Sequence, residues 1–247
     1  MNVAVLASGA GTNLQALIDR VHGRDGIEIV AVGSDQPQAA ALERAKRAGL
    51  ATEVFPRDRY ASRTERDAAM AAWLRTRRVE LVVLAGYMQL LGDDFLAAFP
   101  ERVINVHPSL LPAFPGLNAV QQALDYGVKV FGVTVFFVDG GVDTGPIICQ
   151  RAIELPEART RDDVFAHLRA VEHELLPSAV RLIATGAVAI DPENRRRVVA
   201  APLDPATPQR SEHPDRPDRP ERPERPERLD RPERPDRPDP PERPESR

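Results

Sequence analysis

From Met1 to about Gly186 the chain alternates short β-branched runs with longer stretches of helical period, and few folds accept that alternation. Apolar runs at 2–7, 27–33, 52–55, 80–85, 102–107, 130–138 and 147–154 read as strands. Helices are predicted from Thr12 to Val21, Pro37 to Ala48, Ser62 to Arg77, Leu117 to Tyr126 and Thr160 to Thr185. Strands apolar on both faces and joined by helices suit a parallel sheet covered on both sides. The predicted class is therefore α/β, a single doubly wound, mostly parallel sheet flanked by helices on both faces. Boundary residues agree: Pro37 suits a first helical position, Gly49 and Gly186 suit C-terminal caps, and Ser62 with Glu65 reads as a capping box.

The pattern stops before the end of the 247 residues. From about Ser211, Arg-Pro-Asp or Arg-Pro-Glu recurs nearly every third residue, and Leu229 is the sole large apolar side chain. Proline at that density removes backbone donors, and the interleaved charges keep the segment solvated. The expected division is a folded domain over 1–200 and a disordered Pro/Arg/acid-rich tail over 201–247. Ten arginines against twelve acids in Ser211–Arg247 leave that segment no strong field for a polyanion.

Formal charge is -4, and the one basic block is Arg195-Arg196-Arg197, so no nucleic-acid partner is expected. The apolar run Val3–Ala7 is too short to cross a membrane and leads into a glycine loop rather than a cleavage site. Cys149 has no second cysteine to pair with and lies in Pro146-Ile147-Ile148-Cys149, which marks it as core rather than nucleophile. These features point to a soluble, cytoplasmic protein with small-molecule partners and no membrane association, and leave monomer and homodimer open.

Ser8-Gly9-Ala10-Gly11-Thr12-Asn13-Leu14 follows the first strand and opens the first helix, where backbone amides and the helix dipole favour an anion. A dinucleotide loop is the rival, with Asp35 placed as its ribose acid. Leu14 opposes it, because that fingerprint needs a third small residue there for close helix packing. A tight turn without ligand is the third reading.

Asn105-Val106-His107-Pro108-Ser109-Leu110-Leu111-Pro112 ends a predicted strand, at the sheet edge where α/β folds bind ligands. Two positions apart on an extended chain, Asn105 and His107 share a face. Together they could donate to one oxyanion of acyl transfer, although a lone strand-end histidine is also commonly structural. Pro108, Pro112 and Pro115 stiffen the segment after His107. Asp139-Gly140-Gly141-Val142-Asp143-Thr144-Gly145-Pro146 joins two further strands, with glycines expected to permit unusual backbone shapes. It reads as a solvated turn, or as a loop that sets Asp143 beside His107 and favours the charged imidazole.

Taken together, these segments resemble the glycinamide ribonucleotide formyltransferases over nearly all of residues 1–190. The matching stretches are Val5 to Ala16, Leu84 to Met88, Asn105 to Pro112 with Pro115-Gly116-Leu117, Asp139 to Ile148, and Val171-Glu172-His173. Asn105, His107 and Asp143 with Ser109-Leu110-Leu111-Pro112 mark the wider formyltransferase superfamily, and the glycine-rich opening with Thr12-Asn13 marks this branch. The resemblance makes 1–200 a formyltransferase domain that carries a formyl group from 10-formyltetrahydrofolate to the amine of phosphoribosylglycinamide, with no metal. It implies Asn105, His107 and Asp143 as catalytic residues. It places the substrate phosphate on Gly11, Thr12 and Asn13 and the ribose near Glu172. Folate contacts carry over to Arg63, Met88, Gln89, Leu90, Leu91, Asn105, Asp139, Gly140, Gly141, Val142 and Asp143. Gln89 stands where bacterial members have arginine, leaving a backbone contact but no guanidinium.

Other functions fit less well. A formyltetrahydrofolate hydrolase would use the same Asn, His and Asp with water as acceptor, but should carry an extra domain before the first strand. A transfer-RNA formyltransferase should have a folded basic domain after residue 190. A nicotinamide oxidoreductase has Gly9, Gly11 and Asp35 in its favour and nothing else. A silent scaffold displaying the tail is at odds with a complete catalytic set.

Overall fold

The computed structural model describes residues 1–200; the reading of 201–247 as a disordered tail lies outside the described residues. Seven strands form one sheet: β1 (Asn2–Leu6), β2 (Glu28–Ser34), β3 (Thr52–Val54), β4 (Leu81–Leu84), β5 (Val103–His107), β6 (Val130–Phe137) and β7 (Ile147–Glu154). Six α-helices accompany them: α1 (Thr12–Arg20), α2 (Ala40–Arg47), α3 (Arg63–Thr76), α4 (Asp93–Ala98), α5 (Ala119–Tyr126) and α6 (Arg161–Ala184). A separate hairpin pairs β8 (Val188–Ile190) with β9 (Val198–Ala200).

The sheet order is β3-β2-β1-β4-β5-β6-β7. Its first five strands run parallel, while β6 and β7 are antiparallel to their neighbours. The order reverses between β1 and β4, and ligands of open α/β sheets bind outside the strand ends at such a switch point. Every residue of β4 is buried, as a central strand with both faces covered requires. One apolar cluster joins Leu14, Leu17, Leu42, Val133 and Leu176 on one side of the sheet, and another joins Leu6, Met70, Leu74, Phe95 and Phe99 on the other. Among the described residues, no helix is long and apolar enough to cross a membrane.

All seven sheet strands and the five predicted helices are present, with ends adjusted. Pro37 does not start α2, which begins at Ala40; the Ala39 amide donates to the Gln36 carbonyl, so Pro37 occupies a turn that its fixed φ suits equally well. Gly49 and Gly186 do end their helices, with φ of 72° and 68°. Ser62 caps α3 by accepting from Glu65 N, but Glu65 reaches back to the amide of Ala61 rather than of Ser62. The complete capping box belongs to Thr160 and Asp163 on α6. Helix α5 starts at Ala119, two residues later than expected, because Asn118 adopts a left-handed φ of 63° that turns Leu117 out to solvent. Short α4, β8 and β9 span too few residues to print a period on the sequence.

Candidate functional site

Three loops meet at the carboxyl edge of the parallel strands. After β1 comes the glycine turn, tied to the segment after β4 by the Ser8 amide, which donates to Gly86 O at 3.0 Å. Gly11 caps α1 in the left-handed region, φ 70°, without any side-chain cap bond. The first-turn amides of Thr12 and Asn13 have no partner within the helix and are free to meet an anion. A side chain at Gly11 is doubly excluded, since a Cβ there would lie 2.6 Å from Ala41 Cα. Leu14, the residue that argued against a dinucleotide loop, is wholly buried in the core.

Beside this turn the structure brings Asn13 and Glu172 together across 159 residues: Asn13 Nδ2 donates to Glu172 Oε2 at 2.9 Å. Both side chains are buried, and burial pushes the Glu172 carboxyl above the ordinary carboxylate range, opposed by the Asn13 bond and Arg169. Asn13 Oδ1 is buried with no hydrogen-bond partner among the described residues. An acceptor amide oxygen next to a carboxylate is suited to a ligand hydroxyl. Asp35, the rival's ribose acid, is instead filled by Ser8 Oγ, Gln36 Nε2 and Gln89 Nε2.

At the end of β5, Asn105 is partly exposed and His107 buried. His107 Nδ1 lies 3.4 Å from Asp143 Oδ2, and Nε2 lies 2.9 Å from the carbonyl of Phe114. Acceptors thus face both ring nitrogens, an arrangement the doubly protonated imidazolium satisfies completely. Asp143 is further fixed by the amide of Gly116, which donates to Oδ2 at 2.7 Å.

The 139–146 loop brings Asp143 here by means other than those expected. Gly140, Gly141 and Gly145 do not hold the unusual φ; Asp143 itself does, at 54°. Two of these glycines are needed for closeness instead. A Cβ on Gly145 would sit 1.7 Å from Phe137 O, and one on Gly141 would sit 2.1 Å from Thr144 Oγ1. Asp139 closes the loop by accepting from Gly141 N and Thr144 Oγ1. Val142 remains half exposed beside Gly116.

A cleft of about 470 Å³ opens between α3 and the segment after β4. Arg63, Met88, Gln89 and Leu90, four of the residues expected to contact folate, line it together; Leu91, Asn105, His107 and the 139–143 residues do not. Leu117 also lines it, one residue beyond the Gly116 amide that holds Asp143.

Some residues escaped the sequence reading. Thr134 of β6, fully buried, donates to Ser109 O and accepts from Leu111 N, while Gln150 Nε2 reaches both Leu111 O and Thr134 Oγ1. These two side chains tie the segment after His107 to the neighbouring strands; a polar residue inside a β-branched strand was the available signal. Arg66 also lines the cleft, although it is buried. His22, just beyond α1, accepts from Ile29 N through its Nδ1 at the start of β2. Cys149, expected in the core, is half-buried and packs against its margin, and burial pushes its thiol up to about 11.

The chain also has known relatives. The model of the formyl transferase family matches residues 1–180. A phosphoribosylglycinamide formyltransferase of Bacillus subtilis is 43% identical over 179 residues, covering 72% of this chain and 92% of that protein. A trifunctional purine biosynthetic protein adenosine-3 of Drosophila melanogaster is 42% identical over 194 residues; the match takes in 77% of this chain but 14% of that longer protein. Among solved structures, glycinamide ribonucleotide transformylase 1 from Symbiobacterium toebii aligns with a TM-score of 0.78 at 48% identity, over 81% of this chain and 93% of that one.

Proposed function

The chain belongs to the formyl transferase family, and from that premise we propose that it transfers the formyl group of 10-formyltetrahydrofolate to the amine of phosphoribosylglycinamide in purine biosynthesis. The observation that carries the reading is the pairing of His107 with Asp143 at 3.4 Å, at the end of the strand that also presents Asn105.

The amine attacks the formyl carbon, negative charge gathers on the formyl oxygen, and collapse breaks the bond to the folate nitrogen as a proton passes from the amine to that nitrogen. Asn105 donates to the oxyanion through its side-chain amide. His107 donates as the imidazolium. To do so it exchanges its Nε2 contact with Phe114 O for the oxyanion, while Asp143 retains Nδ1. A donor of this kind is worth about 2.7–4 kcal/mol in the transition state. The phosphate meets the α1 amides of Gly11, Thr12 and Asn13, and Glu172 with Asn13 Oδ1 reads the ribose hydroxyls. The folate lies in the cleft of Arg63 and Met88–Leu90 and reaches on to Leu91 and the 139–143 loop. A chain with a single cysteine, and so no internal disulfide, suits the reducing cytoplasm.

Incubation with 10-formyltetrahydrofolate, with and without phosphoribosylglycinamide, tests the reading. Tetrahydrofolate should appear in step with formylated ribonucleotide and only when the amine is present. Equal release without the amine would make the protein a hydrolase.

A further inference from the structure

Arg66 is 3% exposed, although the neighbouring Arg63 on the same helix is exposed. Its Nε and Nη2 both donate to Asp67 Oδ1, at 3.1 and 2.8 Å. Nη2 also donates to the carbonyl of Leu90 at 3.1 Å, and Nη1 to Gln89 Oε1 at 3.2 Å. The other Asp67 oxygen accepts from Gly92 N at 2.7 Å. Gln89 carries the chain onward, donating to Asp35 Oδ2 at 3.1 Å; Asp35 Oδ1 accepts from Ser8 Oγ, and that hydroxyl accepts from Met88 N at 2.8 Å. Met88, Gln89, Leu90 and Gly92 are therefore each pinned by a polar side chain from another element.

We propose that Arg66 is a positioning residue for the folate: its guanidinium, locked on Asp67, sets Gln89 and Leu90 and so fixes the wall of the cleft. The inference rests on the folate reading above. Two features support it. Met88 and Leu90 are 63% and 59% exposed, so the apolar faces they offer are held out by their backbone rather than by packing. A buried ion pair is also poorly explained as a source of stability, because apolar residues in its place often serve the fold as well. Only a guanidinium has a planar fork that can serve Asp67, Leu90 and Gln89 at once; lysine would keep the charge and lose the fork.

The test uses the full chain and measures turnover alongside direct titration with 10-formyltetrahydrofolate. Arg66→Lys retains a cation for Asp67, and Gln89→Leu removes the strut without touching the ion pair. Each should weaken the folate about tenfold in KM and in Kd, the loss of one charge-assisted bond, while kcat and the ribonucleotide KM stay within about threefold. Gln89→Arg sets a second cation against Arg66 and should do worse. Adding Arg66→Met to it should recover most of the loss, because the new guanidinium can then pair with Asp35. Unchanged folate affinity in both Arg66→Lys and Gln89→Leu, equal loss of both substrates, or a double variant as poor as the product of its singles would each overturn the proposal. Should Arg66→Met fail to fold, the first two variants still decide. Absent wild-type turnover with intact folate binding would defeat the proposed reaction instead, and the titration would go on to judge Arg66.

Discussion

The glycine turn and the His107 corner lie at the same sheet edge but are built in opposite ways. At the turn the working groups are backbone amides, and their position is set by steric exclusion: Gly11 against Ala41, with no side-chain cap. At the corner the working groups are side chains, and their position is set by polar ties: Asp143 to Gly116, Thr134 and Gln150 to the segment after His107. A site built from backbone fails by unfolding locally when it is altered. One built from side chains can lose its chemistry while its shape survives.

The largest effect should distinguish the two most sharply. His107→Ala should lose on the order of 10²–10³ in kcat, the worth of one oxyanion donor, with the melting temperature nearly unchanged and the ribonucleotide still bound. A loss confined to KM would place His107 in binding rather than chemistry.

Gly11→Val inverts that pattern. A β-branched residue at a φ of 70° is strained by about 1–2 kcal/mol, and its Cβ must also displace the backbone of α2. Stability should fall on the order of 3 kcal/mol in total, and both substrates should suffer through the disturbed fold. A stable variant that selectively loses the ribonucleotide would show that α2 yields more easily than the contact implies. Urea unfolding beside substrate titration separates these outcomes.

Glu172→Gln should have a smaller and mixed effect. It keeps an acceptor for Asn13 Nδ2 and removes a carboxylate that burial has raised above its usual 4.5. A raised carboxyl means that the folded chain holds a proton the unfolded chain has released. Stability therefore declines as pH climbs from about 4.5 through the raised value. The glutamine variant should lose that slope, melt no lower than the wild type at neutral pH, and bind the ribonucleotide about tenfold more weakly. An unaltered pH slope would mean that the carboxylate is better solvated than its burial suggests.

Legibility in the sequence followed the same division. The strands could be read because apolar runs such as Leu81–Leu84 are buried on both faces, and the glycine turn could be read because a left-handed φ such as that of Gly11 favours glycine. His107 and Asp143 could be paired through resemblance, but not their distance, because the pairing spans 36 residues and depends on how tightly Gly145 packs on Phe137. Arg66 left no trace at all: in sequence it is one more charge in an arginine-rich helix, and its burial follows from Asp67, Gln89 and Leu90 converging on it. Long-range polar ties carry no periodicity, so periodicity could not reveal them.

The central claim is that His107 and Asp143 act as one device for stabilising the formyl oxyanion. A double-mutant cycle on kcat tests it most directly, with His107→Ala, Asp143→Asn and the double variant. Asparagine keeps the acceptor for Gly116 N and is among the residues that tolerate a left-handed φ, so it removes the charge and little else. If Asp143 works through His107, each single loss should be large and the double variant scarcely slower than the slower single one. Losses that multiply in the double variant would show that the two side chains act independently, and would contradict the account.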